Sequence, residues 1–302
     1  MSTENVAPPP TGTDGGGSPP YRPSPRPSYD RPTAIQRASV TRHIWGDAEA
    51  GEVFDLIYAS TDKLHVLLFG LAPGAAFRHS RAFPTVFGAD EVLHVVSGTM
   101  VIANPQTSEV LRVPAGDSAF FRADTWHHVF AHGPEPLRIL EFLAPPPAAG
   151  TTGAYARTRE YLETPSYTDD SVFGQLPGPG SRPRTLTWLR SGDPVYRLEG
   201  EALVGVLAST EHLTVTTLSL PSAKAGPVHA HGGDEIVYVT AGTLTVRVWD
   251  ATSTYVFELA PEDAAYIPAG ARHEYRNFGR DAAEAMVGVA PRYLETAGDA
   301  AS

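Results

Sequence analysis

The sequence predicts an all-β chain in which one β-rich domain occurs twice. Residues 52–60 and 64–71 are rich in Val, Leu, Ile and Phe and are separated by turn-forming residues, a pattern typical of paired strands. The same pattern returns 149 residues later (52 to 201). EVFDLIYASTDKLHVLLFGL at 52–71 and EALVGVLASTEHLTVTTLSL at 201–220 share a Glu, an Ala-Ser-Thr triplet and aligned leucines and valine. Self-similarity of this kind indicates an internal duplication.

The duplication continues beyond these strands. Glu91 in the first copy matches Glu235 in the second, and His127 matches His273. A chain of 302 residues is long enough for two domains of ordinary size.

The flanking segments differ in composition from the two copies. Pro, Gly and Ser occupy 17 of the first 33 positions, so this segment holds too few apolar residues to form a core, and we expect it to be disordered. A Pro-rich stretch also separates the copies, with a possible short helix at 154–162. The predicted division is a tail at 1–35, a first domain at 40–145, a linker at 146–185, a second domain at 186–293 and a tail at 294–302.

Four residues of the second copy form a candidate metal site. His229 and His231 are two residues apart, so on an extended strand their side chains point to the same face. Glu235 follows after a short turn, and His273 follows a Pro-Ala-Gly turn signal on a separate strand. Imidazole nitrogen and carboxylate oxygen suit iron, manganese, nickel, copper or zinc.

These residues resemble the two motifs of the cupin superfamily, G(X)5HXH(X)3-4E(X)6G and G(X)5PXG(X)2H(X)3N. The first motif is represented by PVHAHGGDEIVYVTAG at 227–242 and the second by PAGARHEYRN at 268–277. Two leading glycines depart from the pattern: Gly226 is displaced and Glu262 takes the other position. The resemblance implies a bicupin, with two tandem jelly-roll-like antiparallel β-barrels and a complete metal motif in the second.

The first copy has a degenerate motif. It retains Glu91 and His127, but counting back from the Glu places Thr85 and Phe87 where the second copy has histidines. We expect this barrel to be metal-free and structural. The alternative is a second metal held by His79, Glu91 and His127.

The ligand set predicts one divalent metal and an enzymatic function. Four protein ligands leave coordination positions open, as catalytic sites do. The set resembles that of quercetin-type dioxygenases, which implies Fe(II) first, with Mn(II), Ni(II), Cu(II) or Zn(II) as alternatives. The leading hypothesis is an oxygenase acting on a small organic molecule with O2, in which Glu235 has a second role as a catalytic base and Tyr275 is a candidate pocket residue.

Two other functions stay open. One is non-oxidative metal chemistry, such as isomerisation, decarboxylation or hydrolysis like that of ureidoglycine aminohydrolases. The other is non-catalytic binding of a small molecule, because a fold does not determine a function.

Composition excludes several partners and sites. A net charge of −11 and a pI of about 5.4 argue against nucleic acid or an anionic membrane as a partner. The chain has no cysteine, which excludes disulfides and thiolate ligands. No long apolar run or secretory signal is visible, so we expect a cytoplasmic protein. Both a monomer and a homo-oligomer are compatible with the sequence.

Overall fold

The computed structural model describes residues 24–145, 161–168, 184–250 and 252–294. These residues form antiparallel strands, one 3-10 helix (Ser166–Thr168) and no α-helix. The all-β prediction is therefore confirmed. The predicted disorder at 1–23, the helix residues 154–160 and the end of the chain after 294 lie outside the described residues. Within the described ranges, no helix is long and apolar enough to cross a membrane.

The first barrel contains a seven-stranded and a four-stranded sheet. The strands of the first half are β1 (Thr33–Ile35), β2 (Thr41–Trp45), β3 (Val53–Ser60), β4 (His65–Leu71), β5 (Ala76–Phe77), β6 (Asp90–Ser97), β7 (Thr99–Asn104), β8 (Glu109–Pro114), β9 (Ser118–Phe121), β10 (His128–Ala131) and β11 (Leu137–Ala144). The two sheets of the first barrel, which include β12 (Thr187–Leu189) from the second half, have the strand orders β12-β9-β6-β11-β4-β3-β2 and β5-β10-β7-β8.

The second barrel repeats this arrangement. The strands of the second half are β12 (Thr187–Leu189), β13 (Val195–Glu199), β14 (Ala202–Ser209), β15 (Thr214–Leu220), β16 (Asp234–Ala241), β17 (Leu244–Trp249), β18 (Thr254–Leu259), β19 (Ala264–Ile267), β20 (Arg272–Arg276) and β21 (Ala283–Ala290). The two sheets of the second barrel have the strand orders β1-β19-β16-β21-β15-β14-β13 and β18-β17-β20. Each barrel encloses its own cluster of buried aliphatic and aromatic side chains.

The two copies exchange one edge strand. β1 pairs with β19 of the second barrel, and β12 pairs with β9 of the first. An equivalent aspartate receives each incoming segment: Asp263 accepts the backbone N–H of Arg37 at 2.9 Å, and Asp117 accepts Trp188 Nε1–H at 2.8 Å. The exchange covers sheet edges that would otherwise be open.

The exchange changes the predicted domain limits at two places. The sequence division places β1 in the tail at 1–35, whereas the structure places it in a sheet with Ile35 only 5% exposed. It also assigns β12 to the second domain, whereas this strand extends the sheet of the first barrel. The local sequence of a three-residue strand carries too little periodicity to show which sheet it joins.

The outer faces of the two seven-stranded sheets pack against each other and form a third apolar core. Tyr58 and Tyr238 meet edge to face across this interface, with ring centroids 5.3 Å apart. Phe142 of the first copy lies directly over Gly288 of the second, where a Cβ would come within 2.3 Å of the ring. A glycine is therefore required for the present packing distance between the sheets.

We expect Gly288→Ala to destabilise the protein by about 1–3 kcal/mol, because the added methyl group overpacks the interface against Phe142. The measurement is urea denaturation followed by circular dichroism. Gly192→Ala is the matched control, since a Cβ there meets nothing within 4 Å and should change stability by less than about 0.5 kcal/mol. Equal effects of the two substitutions would contradict this account of the interface.

Candidate metal centre

The four predicted ligands converge at one end of the second barrel. Glu235 is the second residue of β16, and His273 is the second residue of β20. His229 forms an isolated bridge with His273, in which each backbone N–H donates to the other carbonyl at 2.9 and 2.8 Å. His231 lies in the loop before β16 rather than on a regular strand. The predicted convergence is therefore present, although an irregular segment carries the two histidines.

The distances between the side chains are those of a cluster that fits one ion. Ligand nitrogens of His229, His231 and His273 all lie within 4.8 Å of one another. The Oε2 atom of Glu235 is 3.2 Å from His231 Nε2 and 3.1 Å from His273 Nε2. All four side chains thus point at a shared volume.

Backbone carbonyls orient all three imidazoles. In each ring the Nδ1 atom lies within hydrogen-bonding distance of a carbonyl oxygen, which directs the Nε2 lone pair at the site. The contacts are His229 Nδ1 to Pro227 O at 3.0 Å, His231 Nδ1 to Tyr293 O at 2.6 Å and His273 Nδ1 to Ala271 O at 2.9 Å.

Two of the ligand atoms, Glu235 Oε2 and His273 Nε2, are buried and form no hydrogen bond among the described residues. They lie 3.1 Å from each other and face the other ligand groups. Buried polar atoms without a hydrogen bond are rare in native proteins, and this arrangement fits a shared cation. Three neutral imidazoles and one carboxylate, without thiolate, fit a divalent first-row transition metal.

The surroundings favour the ligand forms of Glu235 and His229; for His273, burial lowers the pKa but the Glu235 carboxylate outweighs it and raises this pKa. Burial alone would raise the pKa of Glu235, but the neighbouring imidazoles, His273 above all, lower this pKa to about 2. Burial lowers the pKa of His229 to about 4. A deprotonated carboxylate and a neutral imidazole are the forms that bind metal.

Three residues that are not candidate ligands complete the surroundings. The Tyr275 hydroxyl donates to Glu235 Oε1, as its alternation with His273 along β20 suggested. Tyr293 packs its ring 4.3 Å from that of His231 and donates its hydroxyl to Glu199 at 3.2 Å. The sequence analysis missed Tyr293 and Glu199, which lie at opposite ends of the second copy and outside both motifs.

The first barrel has the same backbone hydrogen bonds at the equivalent place, but it lacks the two histidines that correspond to His229 and His231. The N–H of His127 donates to Thr85 O at 3.0 Å, as the N–H of His273 donates to His229 O. The N–H of Asp124 donates to Phe87 O at 2.6 Å, in the place where Gly270 reaches His231. Thr85 and Phe87 therefore occupy the positions of the two histidines, in agreement with the count from the sequence.

His79 does not join Glu91 and His127. Its Nδ1 atom lies 2.6 Å from His128 Nε2, and its Nε2 atom lies 2.7 Å from the carbonyl of Leu162. Both ring nitrogens are therefore used, one in a contact with His128 on β10 and one in a contact with the linker. Among the described residues, the three histidines of the second barrel form the only cluster of at least three ligand atoms, which disagrees with a second metal site built on His79.

The cupin-domain family model matches residues 87–143 and 217–289, one region in each barrel. The chain has two cupin domains in tandem, which is the bicupin fold. The comparison with curated proteins finds no match.

Several solved structures share the bicupin architecture. An oxalate decarboxylase from Lactobacillus farciminis is 15% identical, with a TM-score of 0.59 over 90% of this chain and 89% of the other. An oxalate decarboxylase from Bacillus subtilis is 13% identical, with a TM-score of 0.62 over 90% and 79%. AerE from Microcystis aeruginosa is 12% identical, with a TM-score of 0.58 over 85% and 98%. At these identities the likeness shows the fold alone.

The first barrel of this bicupin buries a pair of carboxyl groups. Burial and the neighbouring Glu141 raise the pKa of Glu91 well above its ordinary value. Burial also raises the pKa of Glu141 to about 7, although its hydrogen bond with Glu91 acts in the opposite direction. A proton is therefore retained by this pair at a pH at which exposed carboxyl groups have lost theirs.

This pair predicts a pH dependence of stability. Because the folded-state pKa of Glu141 lies above its unfolded value, its contribution to stability is lost as pH rises from about 4.5 through about 7. Glu141→Gln removes that loss. The free energy of unfolding of the variant, relative to that of the parent protein, should therefore be about 1–3 kcal/mol more favourable at pH 8 than at pH 5. Urea denaturation at both pH values measures it. Glu135→Gln, at an exposed position, should show no such gain, and a pH-independent difference at Glu141 would contradict the prediction.

Proposed function

We propose that the second barrel is the active site of a metal-dependent enzyme that acts on a small organic molecule. The observation that carries this proposal is the oriented set of three imidazoles and one carboxylate, in which buried ligand atoms face one another and two of them form no hydrogen bond among the described residues. Carbonyl groups hold the rings before any ion binds, so little reorganisation is needed on binding.

Substrate would approach from the side of His229. This side chain is half-buried, whereas His231, Glu235 and His273 are at most 5% exposed. Beside the site, Arg197 pairs with Glu199 at 2.9 Å and lies 5.9 Å from the ring of Tyr293. These three residues offer a positive charge, a negative charge and an aromatic face to a polar substrate.

A bound divalent ion would supply Lewis acidity and, as Fe(II), a site for O2 chemistry. His229, His231, Glu235 and His273 would hold it. We propose Fe(II), with Mn(II), Ni(II), Cu(II) and Zn(II) as the alternatives that the same ligands accept.

Oxygen-dependent oxidation is the first candidate reaction. The proposed ligand set is free of thiolate and would hold a divalent ion through four protein atoms, which would leave it open to a small molecule. Tyr275 holds one oxygen of Glu235, which keeps the carboxylate in place as a ligand throughout turnover.

Non-oxidative chemistry such as decarboxylation is the second candidate. Two of the similar structures are oxalate decarboxylases, and each aligns with 90% of this chain. In this case Glu235 would also serve as the base, since Oε2 forms no hydrogen bond among the described residues and faces the imidazoles of His231 and His273.

One experiment tests the proposal and separates the two reactions. The purified protein is analysed for metals, reconstituted with each candidate ion and incubated with chelating small molecules such as oxalate, 2-oxo acids, enediols and flavonols. Consumption of O2 that depends on substrate supports the oxygenase, and turnover without O2 supports the non-oxidative reaction. Tight ligand binding with no turnover in any metal form would favour a non-catalytic binding protein and overturn the proposal.

A further inference from the structure

The first barrel encloses a cavity that the metal centre does not use. Its volume is about 90 Å³. Aromatic side chains form much of its wall, including Trp45, Phe77 and Phe87. Polar groups of Asp55, Glu141 and others face the same space; the further polar lining residues are Ser24, Ser60, His65, Thr85 and His127.

Comparison of the two copies in register shows that the carboxyl groups are specific to the first barrel. Asp55 pairs with Phe69 where Val204 pairs with Leu218 in the second barrel. Glu141 pairs with Leu93 where Val287 pairs with Val237. The second barrel therefore has valine at both positions. Burying two additional carboxyl groups is unfavourable for stability, and a barrel that only supports its neighbour gains nothing from them.

Few protein groups compensate these acids. Among the described residues, neither Glu91 nor Glu141 forms an ion pair with lysine or arginine. The Nε2 atom of His127 lies 3.9 Å from Glu91 Oε2, and burial lowers the pKa of this imidazole to about 4, so it carries no charge at neutral pH.

Three buried polar atoms at or beside the cavity form no hydrogen bond among the described residues. They are Glu91 Oε2, Thr85 Oγ1 and His65 Nδ1, and Glu91 and Thr85 are each 1% exposed. Thr85 lines the cavity, and Glu91 lies beside it through its contact with Glu141. Arg26 lies at one end, but its guanidinium donates to Ser60 Oγ and to the carbonyl of Thr61, at 3.2 and 3.1 Å.

We propose that the first barrel binds a small organic cation, a primary amine with a short apolar body. The ammonium group donates hydrogen bonds to Thr85 Oγ1 and Glu141, behind which Glu91 adds acidic character, and the apolar body packs against Trp45, Phe77 and Phe87.

The dimensions and chemistry favour an amine over a metal ion. The ligand atoms around the cavity do not gather into a metal-binding cluster, in contrast to those of the second barrel. The volume is smaller than the ~150 Å³ cavity that accepts benzene, so the body has only a few carbon atoms. An ammonium ion supplies three donors and one positive charge to a site rich in acceptors.

The test is isothermal titration of the full chain with three probes of equal length: propylamine, propanol and propionate, at pH 7.5. We expect saturable binding of propylamine and at least about tenfold weaker binding of the other two. Glu141→Gln keeps the shape and a hydrogen bond to Glu91 but removes a charge, so it should weaken propylamine binding at least about tenfold. Glu135→Gln, on the exposed surface, should leave binding unchanged.

His231→Ala locates the site. Because this residue belongs to the second barrel, its loss should leave propylamine binding intact even where it removes the metal. Absence of saturable amine binding, equal binding of propanol, or full binding by Glu141→Gln would each overturn the proposal. Loss of amine binding in His231→Ala would place the amine at the metal centre instead. The proposed enzyme function stands or falls separately, on metal content and turnover.

Discussion

Replacing His231 or His273 with alanine is expected to strip the metal from the second barrel and abolish turnover. Each side chain contributes an Nε2 atom that points at the shared volume beside Glu235 Oε2. Loss of an outer hydrogen-bonding partner already weakens metal affinity by about 10–100-fold, so loss of a ligand should weaken it by more than about 100-fold. Metal analysis after gel filtration gives the occupancy, and circular dichroism gives the fold.

The barrel should remain folded in both variants, because each imidazole lies at the end of the barrel and the apolar cluster inside does not include it. His127→Ala is the matched control. This residue is the equivalent of His273 in the first barrel, and its substitution should leave about one metal ion per chain. Full metal occupancy in His231→Ala or His273→Ala would show that the ligand assignment is wrong.

The convergence of the four candidate ligands was predictable because three of them are close in sequence. His229, His231 and Glu235 lie within seven residues (229 to 235), so local geometry alone nearly determines their relative directions. His273 required the family resemblance, since its approach depends on the pairing of β20 with β17. The duplication was equally visible, because the strands of both copies keep the same alternation.

Features that depend on distant pairs were not predictable. β1 and β12 each pair with a strand of the other copy. Their sequences resemble those of ordinary short strands beside loops and do not show which sheet each strand joins. The buried carboxyl groups of the first barrel had a signal that went unused: Asp55 aligns with Val204 in the same register that reveals the duplication.

Contacts between distant residues also explain how Glu262 can replace a glycine of the second motif. Glu262 takes a glycine position of the second motif and adopts a positive φ of 72°. Such a conformation is strained for a residue with a side chain. Arg138 binds both carboxylate oxygens of Glu262 at 2.8 Å, and Tyr58 donates its hydroxyl to the carbonyl of Glu262 at 2.7 Å. Contacts from the other copy therefore stabilise a conformation that the local sequence disfavours.

Tyr275→Phe is expected to weaken metal binding by about 10–100-fold while leaving the fold intact. The Tyr275 hydroxyl donates to Glu235 Oε1, and the ring is only 4% exposed within the barrel core. Phenylalanine keeps the packing of the ring but removes the donor. Glu235 then keeps only its Oε2 contacts with His231 and His273. The buried Oε1 atom loses its partner, which costs about 1–3 kcal/mol.

Two measurements separate a role in positioning Glu235 from a general structural role. They are the metal affinity and the stability of the metal-free protein. Titration with Zn(II) or Fe(II) against a competing chelator measures the affinity, and urea denaturation of the metal-free protein measures the stability. Tyr255→Phe, on β18 of the same barrel, removes the same hydroxyl away from the ligands and should leave the affinity unchanged. If Tyr275→Phe lowered stability but kept the parent metal affinity, the Tyr275 hydroxyl would stabilise the barrel core and would not position Glu235 for metal binding.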